Sequence, residues 1–292
     1  METPAPADPH AAALLAGFSL EMTGKDVAGL AEAAPLLPAG TRVNVTFLGN
    51  EDLGMRVAAA AAVREHGLLP VPHISARRLA SEAQLEEFLD ELRRVGAHEH
   101  VFAVGGDPAQ PEGPYAASLD VIRSGLLRER GVREVSIAGY PEGHPDIPDD
   151  VLWQALEDKV AALEEQGLGA VVLTQFGFDV DPVVGWIDEV RRRGIRAPIR
   201  VGVPGPAGVK RLLAFATRFG IGANAMIVRK YGFSLTNLMG TAGPEAFLSD
   251  LAARLAERDA GEVGVHFYTF GGLPATAEWV RAHTADTTGE AR

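Results

Sequence analysis

The 292-residue chain contains no cysteine. That absence excludes disulfides, thiolate metal sites and a cysteine nucleophile, and it fits a reducing compartment. Basic residues are scarce relative to acidic ones: 27 Lys and Arg against 39 Asp and Glu give a net charge of −12 and a pI near 5.1. Such a surface repels a phosphate backbone or an anionic membrane, so neither is expected as a partner and a small-molecule ligand is. No apolar run approaches the ~20 residues needed to cross a bilayer. Residues 1–16 are rich in Ala and Pro and lack the basic stretch of a signal peptide, so they read as a disordered lead-in. A cytoplasmic protein is expected, with a homo-oligomer left open.

Several motifs are missing too. There is no Gly-rich phosphate loop, and the run Gly202-Val203-Pro204-Gly205-Pro206-Ala207-Gly208 places prolines where a dinucleotide-binding helix should begin. The eight histidines are scattered without a pair at helical spacing, so no metal site is expected. No Gly-x-Ser-x-Gly elbow occurs, which leaves hydrolysis by a nucleophilic serine unsupported.

What the chain does have is a beat of short apolar runs followed by longer amphipathic ones. Strands are predicted at Phe18–Met22, Val43–Thr46, Leu69–His73, Val101–Val104, Glu134–Ala138, Ala170–Thr174, Ile199–Val203 and Val263–Tyr268. Helices are predicted near Asp26–Ala34, Leu53–His66, Glu82–Val95, Ala116–Arg130, Asp149–Gln166, Pro182–Arg193, Gly208–Phe219 and Pro244–Asp259. Start signals mark several of them: Ser81 ahead of Glu82 and Gln84, Asp181-Pro182, and Gly243-Pro244. Eight alternations at this length predict an α/β fold, a single-domain (β/α)8 TIM barrel over residues 17–284. A doubly wound sheet with a small extra domain is the second choice. Gly220–Gly240, containing Arg229-Lys230-Tyr231, reads as an extra segment between the seventh helix and the eighth strand, and residues 285–292 read as a frayed tail.

In such barrels chemistry gathers at the carboxyl ends of the strands. Those ends carry Glu21, Thr46 with Asn50, His73, Gly105-Gly106-Asp107-Pro108, Tyr140 with Glu142 and His144, Thr174-Gln175 with Asp179, Pro204-Gly205-Pro206, and His266 with Tyr268 and Thr269. Each residue also has an ordinary structural role open to it. Glu21, inside an apolar run, is either salt-bridged or a carboxyl of raised pKa suited to giving a proton. Gly105 to Pro108 serves as a plain turn or lets a flat ligand approach the backbone. Gln175 satisfies a neighbouring backbone group or reads a heterocycle edge. Tyr140, Glu142 and His144, between Pro141 and Pro145, form a stiff connection or one wall of a pocket.

Phe18-Ser19-Leu20-Glu21, Pro72-His73-Ile74-Ser75, Gly105-Gly106-Asp107-Pro108, Gly139-Tyr140-Pro141-Glu142-Gly143-His144-Pro145, Leu173-Thr174-Gln175-Phe176-Gly177-Phe178-Asp179 and Gly264-Val265-His266-Phe267-Tyr268-Thr269, in this order, resemble the methylenetetrahydrofolate reductases. The resemblance runs from about Phe18 to Phe270. It implies a (β/α)8 barrel in which NAD(P)H passes hydride to FAD and the flavin reduces 5,10-methylenetetrahydrofolate to 5-methyltetrahydrofolate. It further implies that Glu21 is the acid and that Asp107 is catalytic, lying against flavin and pterin where its charge favours the iminium cation. Gln175 and Asp107 would bind the pterin. Thr46, His73, Gly106, Asp107, Tyr140, His144 and Lys159 would contact the flavin cofactor.

The departures from the family pattern open alternatives. Gly105 stands where the family usually has Arg, Leu163 and Glu164 fall where an Arg-Lys pair normally faces the diphosphate, and an insertion restores only Lys159. The stretch Pro204–Gly208 is shortened as well. A flavin-free relative passing hydride directly from NADH to folate, an enzyme running in the oxidative direction, and a folate-binding accessory protein without turnover stay open. NADH versus NADPH is undecided, because no fingerprint residue is present.

Overall fold

The alternation that the sequence sets up closes on itself. The computed structural model describes residues 9–47, 49, 51–208, 241–270 and 272–284. Its barrel strands are β1 (Ser19–Met22), β2 (Arg42–Val45), β3 (Leu69–Ser75), β4 (His100–Val104), β5 (Glu134–Gly139), β6 (Gly169–Phe176), β7 (Ile199–Pro204) and β8 (Val263–Tyr268), within about two residues of the predicted spans. Each pairs in parallel with its sequence neighbour, and β1 pairs with β8, so the sheet is a closed eight-stranded barrel. The predicted TIM barrel is the observed fold, and the open doubly wound sheet is not.

Around the barrel lie α1 (Pro9–Leu15), α2 (Val27–Ala33), α3 (Leu53–Glu65), α4 (Glu82–Arg94), α5 (Ser118–Arg123), α6 (Leu126–Glu129), α7 (Asp149–Glu165), α8 (Val180–Arg192), α9 (Glu245–Leu255) and α10 (Leu273–Thr284). The helix α4 shows why these segments coil. Ser81 accepts the Gln84 N–H, satisfying one orphan donor of the first turn, while Leu85, Phe88, Leu89 and Leu92 bury one face against the strands. Each such side chain contributes roughly 1.5–3 kcal/mol of burial free energy.

Four expectations change at the element level. Residues 9–15 of the expected disordered lead-in form α1, because Leu14 and Leu15 find buried places beside β8 and α9. The single helix expected over Ala116–Arg130 is two, broken where Gly125 takes a left-handed φ of 79°. The helix α8 begins two residues early, capped by Asp179 accepting the Asp181 N–H instead of by Asp181 itself. The final helix α10 was not foreseen. The predicted helix Gly208–Phe219 lies outside the described residues apart from Gly208, and Arg229-Lys230-Tyr231 lies wholly outside them. At the base of that segment Ala207–Gly208 pairs antiparallel with Thr241–Ala242, so its two ends meet.

Alternation along the strands divides outward apolar residues from inward polar ones. Leu20, Met22, Val43 and Val45 face the helices and are essentially inaccessible, while Ser19, Glu21, Arg42 and Asn44 point inward. At the amino ends of the strands an ionic layer plugs the barrel. Arg42 makes a forked pair with Glu134, its Nη2 donating to Oε2 at 3.2 Å, and His100 Nδ1 lies 3.4 Å from the same carboxylate. Burial pushes the Glu134 carboxyl up, but hydrogen bonds from His100 and Arg42 outweigh it and bring it to about 2. Above this layer Val71, Phe102 and Leu173 form an apolar plug. The floor is thus sealed, and the open end is the one bearing the carboxyl termini of the strands.

Candidate active site at the barrel mouth

Glu21 stands one residue from the end of β1, on the inward face, with its side chain 17% exposed. Burial, and then the negative charge of Asp26, push its carboxyl up to about 8. The group therefore keeps its proton at neutral pH. Directly beside it, His266 Nε2 lies 4.0 Å from Glu21 Oε2. The other ring nitrogen, Nδ1, is 2.8 Å from Ser19 Oγ and accepts from Asn44 Nδ2 at 3.2 Å, which places the ring hydrogen on the Glu21 side. Burial, then the Arg200 charge, lowers His266 to about 3, so the ring is neutral and adds no cation that would ionise Glu21. Thr269 Oγ1 donates to the Glu21 carbonyl at 2.9 Å and ties the end of β8 to β1.

The period of two along β1 and β2 could have revealed Ser19 and Asn44, since both alternate with apolar residues in phase with Glu21. His266, on the inward face of β8, comes within 4.0 Å of the acid. Tyr268, on the same face of β8, donates from its hydroxyl to the Thr174 carbonyl at 3.0 Å. That approach depends on Gly202, where an added Cβ would lie 2.5 Å from Thr174 O and 2.7 Å from the Tyr268 ring.

His73 at the mouth end of β3 packs edge-on against Phe102 at 4.7 Å, and burial, with the neighbouring His266 and Arg56, lowers it to about 3. Its Nε2 is buried without a hydrogen-bond partner. Thr46 donates to the Met22 carbonyl at 3.1 Å. Gln175 uses Oε1 to accept the Phe176 N–H at 3.0 Å, so its carbonyl end satisfies the backbone at the bulge in β6. Gly106 adopts φ +93°, and a Cβ there would meet Ser75 Oγ at 2.3 Å.

Asp107, which the resemblance places against flavin and pterin, is ion-paired in the structure. Its side chain is 75% exposed and forms a two-pronged pair with Arg78, Nε to Oδ1 at 2.8 Å and Nη2 to Oδ2 at 2.7 Å. A compensated carboxylate favours a neighbouring cation less than a bare one. Arg78 sits just beyond β3, and the sequence offered no reason to single it out.

On the far side of the mouth, Tyr140 and His144 meet edge to face at 5.4 Å, and His144 Nδ1 accepts the Asp146 N–H at 3.1 Å. Glu142 accepts the Phe178 N–H and is raised by burial, then by Asp179; it braces the loop after β6. Behind Tyr140 opens a cleft of about 430 Å³ whose lining includes the Trp153 and Trp186 rings, stacked at 5.7 Å, and the carboxylates Glu142, Asp149 and Glu189, but no lysine or arginine.

The fit to a flavin dinucleotide can be judged from these residues. Its diphosphate needs cations or free N–H donors on this flank. Gly105 offers no side chain, and the residue before Lys159 is an aspartate. Lys159 itself is 7% exposed, on the buried face of α7 with Leu156, Val160 and Leu163, and burial lowers it to about 8. Lys159 is not among the residues that line the cleft. Among the described residues, then, no lysine or arginine lines this cleft, and it offers the diphosphate no cation of its own. Lys159, which the resemblance assigns to the cofactor, lies on the buried face of α7.

Comparison with known proteins places the chain. The family model described as methylenetetrahydrofolate reductase matches residues 18–273. The 5,10-methylenetetrahydrofolate reductase of Pectobacterium carotovorum subsp. carotovorum is 33% identical over 155 residues, covering 52% of this chain and 48% of the relative. The 5,10-methylenetetrahydrofolate reductase of Salmonella typhimurium is 28% identical over 184 residues, 60% of this chain and 57% of the relative. An Arabidopsis thaliana protein, methylenetetrahydrofolate reductase (NADH) 1, is 28% identical over 156 residues, 49% of this chain but 26% of the relative. The matched stretches thus span from about a quarter to little more than half of these relatives.

Proposed function

The chain belongs to the methylenetetrahydrofolate reductase family, and from that premise we propose that it reduces 5,10-methylenetetrahydrofolate to 5-methyltetrahydrofolate with hydride from a reduced nicotinamide. The observation that carries the reading is Glu21, a carboxyl still protonated near neutral pH at the open end of the barrel. The methylene carbon accepts hydride only once the five-membered ring has opened to an iminium cation, and opening requires a proton on the leaving nitrogen. Glu21 gives that proton, in the manner of other buried carboxyl acids. The neutral His266, its Nε2 4.0 Å from the Glu21 carboxyl, adds no full positive charge that would ionise the acid.

The hydride then passes from the nicotinamide to the iminium carbon, so that methylene-folate, reduced nicotinamide and one proton give methyl-folate and oxidised nicotinamide. A cleft lined by no lysine or arginine and the buried Lys159 support direct transfer over a flavin relay, and no step is assigned to a flavin. Thr46, His73, Gly106, Tyr140 and His144 then line the space shared by pterin and nicotinamide, with Gln175 at the pterin edge and Asp107 at the rim.

The test is anaerobic incubation of purified protein, checked for flavin by denaturing extraction, with methylene-folate and NADH or NADPH. Methyl-folate is expected to form without added flavin, and Glu21→Gln is expected to slow it by roughly 10²–10⁴-fold. Absence of methyl-folate with either donor overturns the reading, as does an unchanged rate in Glu21→Gln. Formation that requires added FAD overturns direct transfer alone.

A further inference from the structure

The two sides of the barrel mouth differ in where their cations stand. The cleft behind Tyr140 is lined by Glu142, Asp149 and Glu189 and by no lysine or arginine, with Glu189 bonded to Arg192 and Arg193 at its edge. Beyond β2 and β3, Arg56 and Arg78 face the Phe47 ring, and Arg77 precedes Arg78 in the chain. Their present engagements differ. Arg77 is committed to the loop after β4, its Nε donating to Ala116 O at 2.8 Å and its Nη1 to Pro108 O at 3.3 Å. Arg56 is buried, held between the rings of Phe47 and Phe88 at 4.0 and 4.6 Å. Arg78 is the forward one, its guanidinium 5.2 Å from the Phe47 centroid and its fork closed on Asp107.

That fork is already shaped for an oxyanion. Two donors of Arg78 lie 2.8 and 2.7 Å from the two oxygens of one carboxylate, the geometry in which arginine binds carboxylates and phosphates most strongly. The carboxylate now in it belongs to a side chain 75% exposed, and an exposed ion pair gives way to a competing anion at little cost. Glu112, 3.9 Å from Nη1, is beyond hydrogen-bond reach. Behind the ring, Arg56, with Glu51 and Asp52 close by, stays in place when Asp107 leaves.

We propose that Arg78 is a ligand-binding residue of the mouth: it takes an oxyanion group of the incoming ligand in exchange for Asp107, whose carboxylate is thereby released toward the reacting rings. The proposal rests on the functional reading above, under which two ligands bring such a group, the folate through its glutamate carboxylates and the dinucleotide through its diphosphate. The cleft behind Tyr140 offers either group no lysine or arginine, so the anionic part of the ligand is assigned to the Arg78 fork over β3 and β4. The exchange also couples binding to chemistry, since Asp107 faces the forming cation uncompensated only after Arg78 has been claimed.

The experiment measures equilibrium binding of NADH and, separately, of 5-methyltetrahydrofolate to wild type, Arg78→Ala and Arg78→Gln, with thermal midpoints of the free proteins as a check on folding. At least one ligand is expected to bind tenfold or more weakly to both variants, and more weakly to wild type as salt rises. If the folate arm moves, the glutamate is the source, and a pteroate lacking glutamate binds wild type and variants alike. If the NADH arm moves, the diphosphate is the source, and reduced nicotinamide riboside is the indifferent probe. Arg78→Gln keeps side-chain length and hydrogen bonding, so it decides the matter should Arg78→Ala fail to fold. Both ligands bound by the variants as tightly as by wild type overturns the proposal and leaves the function standing. A wild-type protein that binds neither ligand overturns both.

Discussion

Glu21 shows at the scale of one residue how function and stability oppose each other. Its value in the fold is about 8 against an ordinary 4.5, and burial is the main cause. The folded state therefore holds a proton that the unfolded chain gives up. Below about pH 4.5 both states are protonated and nothing is lost. As pH rises toward 8 the unfolded chain ionises first, and the fold loses roughly 4 kcal/mol at about 1.4 kcal/mol per unit of pKa. Glu21→Gln removes that loss while removing the acid. Its unfolding midpoint in urea should exceed that of wild type at pH 8 and match it near pH 4.5. An equal midpoint at both pH values would show that Glu21 titrates normally. In the wild type, kcat/KM should fall as pH passes about 8, where the acid ionises.

At the scale of elements, the turn after β4 is the joint on which the mouth depends. Gly106, at φ +93° with no room for a Cβ beside Ser75 Oγ, lets the chain reverse so that Asp107 meets Arg78. Gly106→Ala forces both an unfavourable φ and a shift of Ser75. We expect it to cost about 1–3 kcal/mol of stability and to weaken folate turnover more than tenfold; circular dichroism melts and steady-state kinetics check the two. A variant with wild-type kinetics would place the turn outside the site. The turn was legible as Gly-Gly-Asp-Pro, but its partner was not. Arg78 comes from the end of another strand 29 residues earlier, and nothing local to either segment records the pairing. The break at Gly125 escaped for a similar reason: apolar spacing runs through α5 and α6, and only packing decides that the chain turns between them.

For the whole molecule, the barrel interior holds titratable groups whose protons respond to folding in opposite senses. His73 and His266 are neutral in the fold, each lowered from 6.5 to about 3 chiefly by burial. Their contribution is present above about pH 6.5 and is lost as pH falls. Between about pH 6 and 4.5 the unfolded chain binds two more protons at these histidines and one fewer at Glu21, a net of one, so stability should fall by about 1.4 kcal/mol per pH unit. Below 4.5 Glu21 no longer opposes the trend. Glu134, whose folded value is about 2, joins the histidines, and the slope should steepen toward three protons. Urea titrations at pH 7, 6, 5 and 4 measure these slopes. Stability that stays flat from pH 7 to 5 would mean the histidines are not desolvated as the packing indicates.

The sequence by itself determined the strands, most of the helices and the class of fold. Strand and helix periods are local, eight alternations leave few ways to bury both faces of a parallel sheet, and Leu14 and Leu15 escaped notice only because their burial needs α9 and β8. It also marked Glu21, since a carboxyl inside an apolar run is improbable without a reason. Tertiary structure alone decided what surrounds each candidate. Asp107 became half of an ion pair with Arg78, Lys159 turned into the core, and His266 came within 4.0 Å of the acid across the seam where β8 meets β1. Barrel closure brings the first strand against the last, and no spacing along the chain encodes which side chains then face each other.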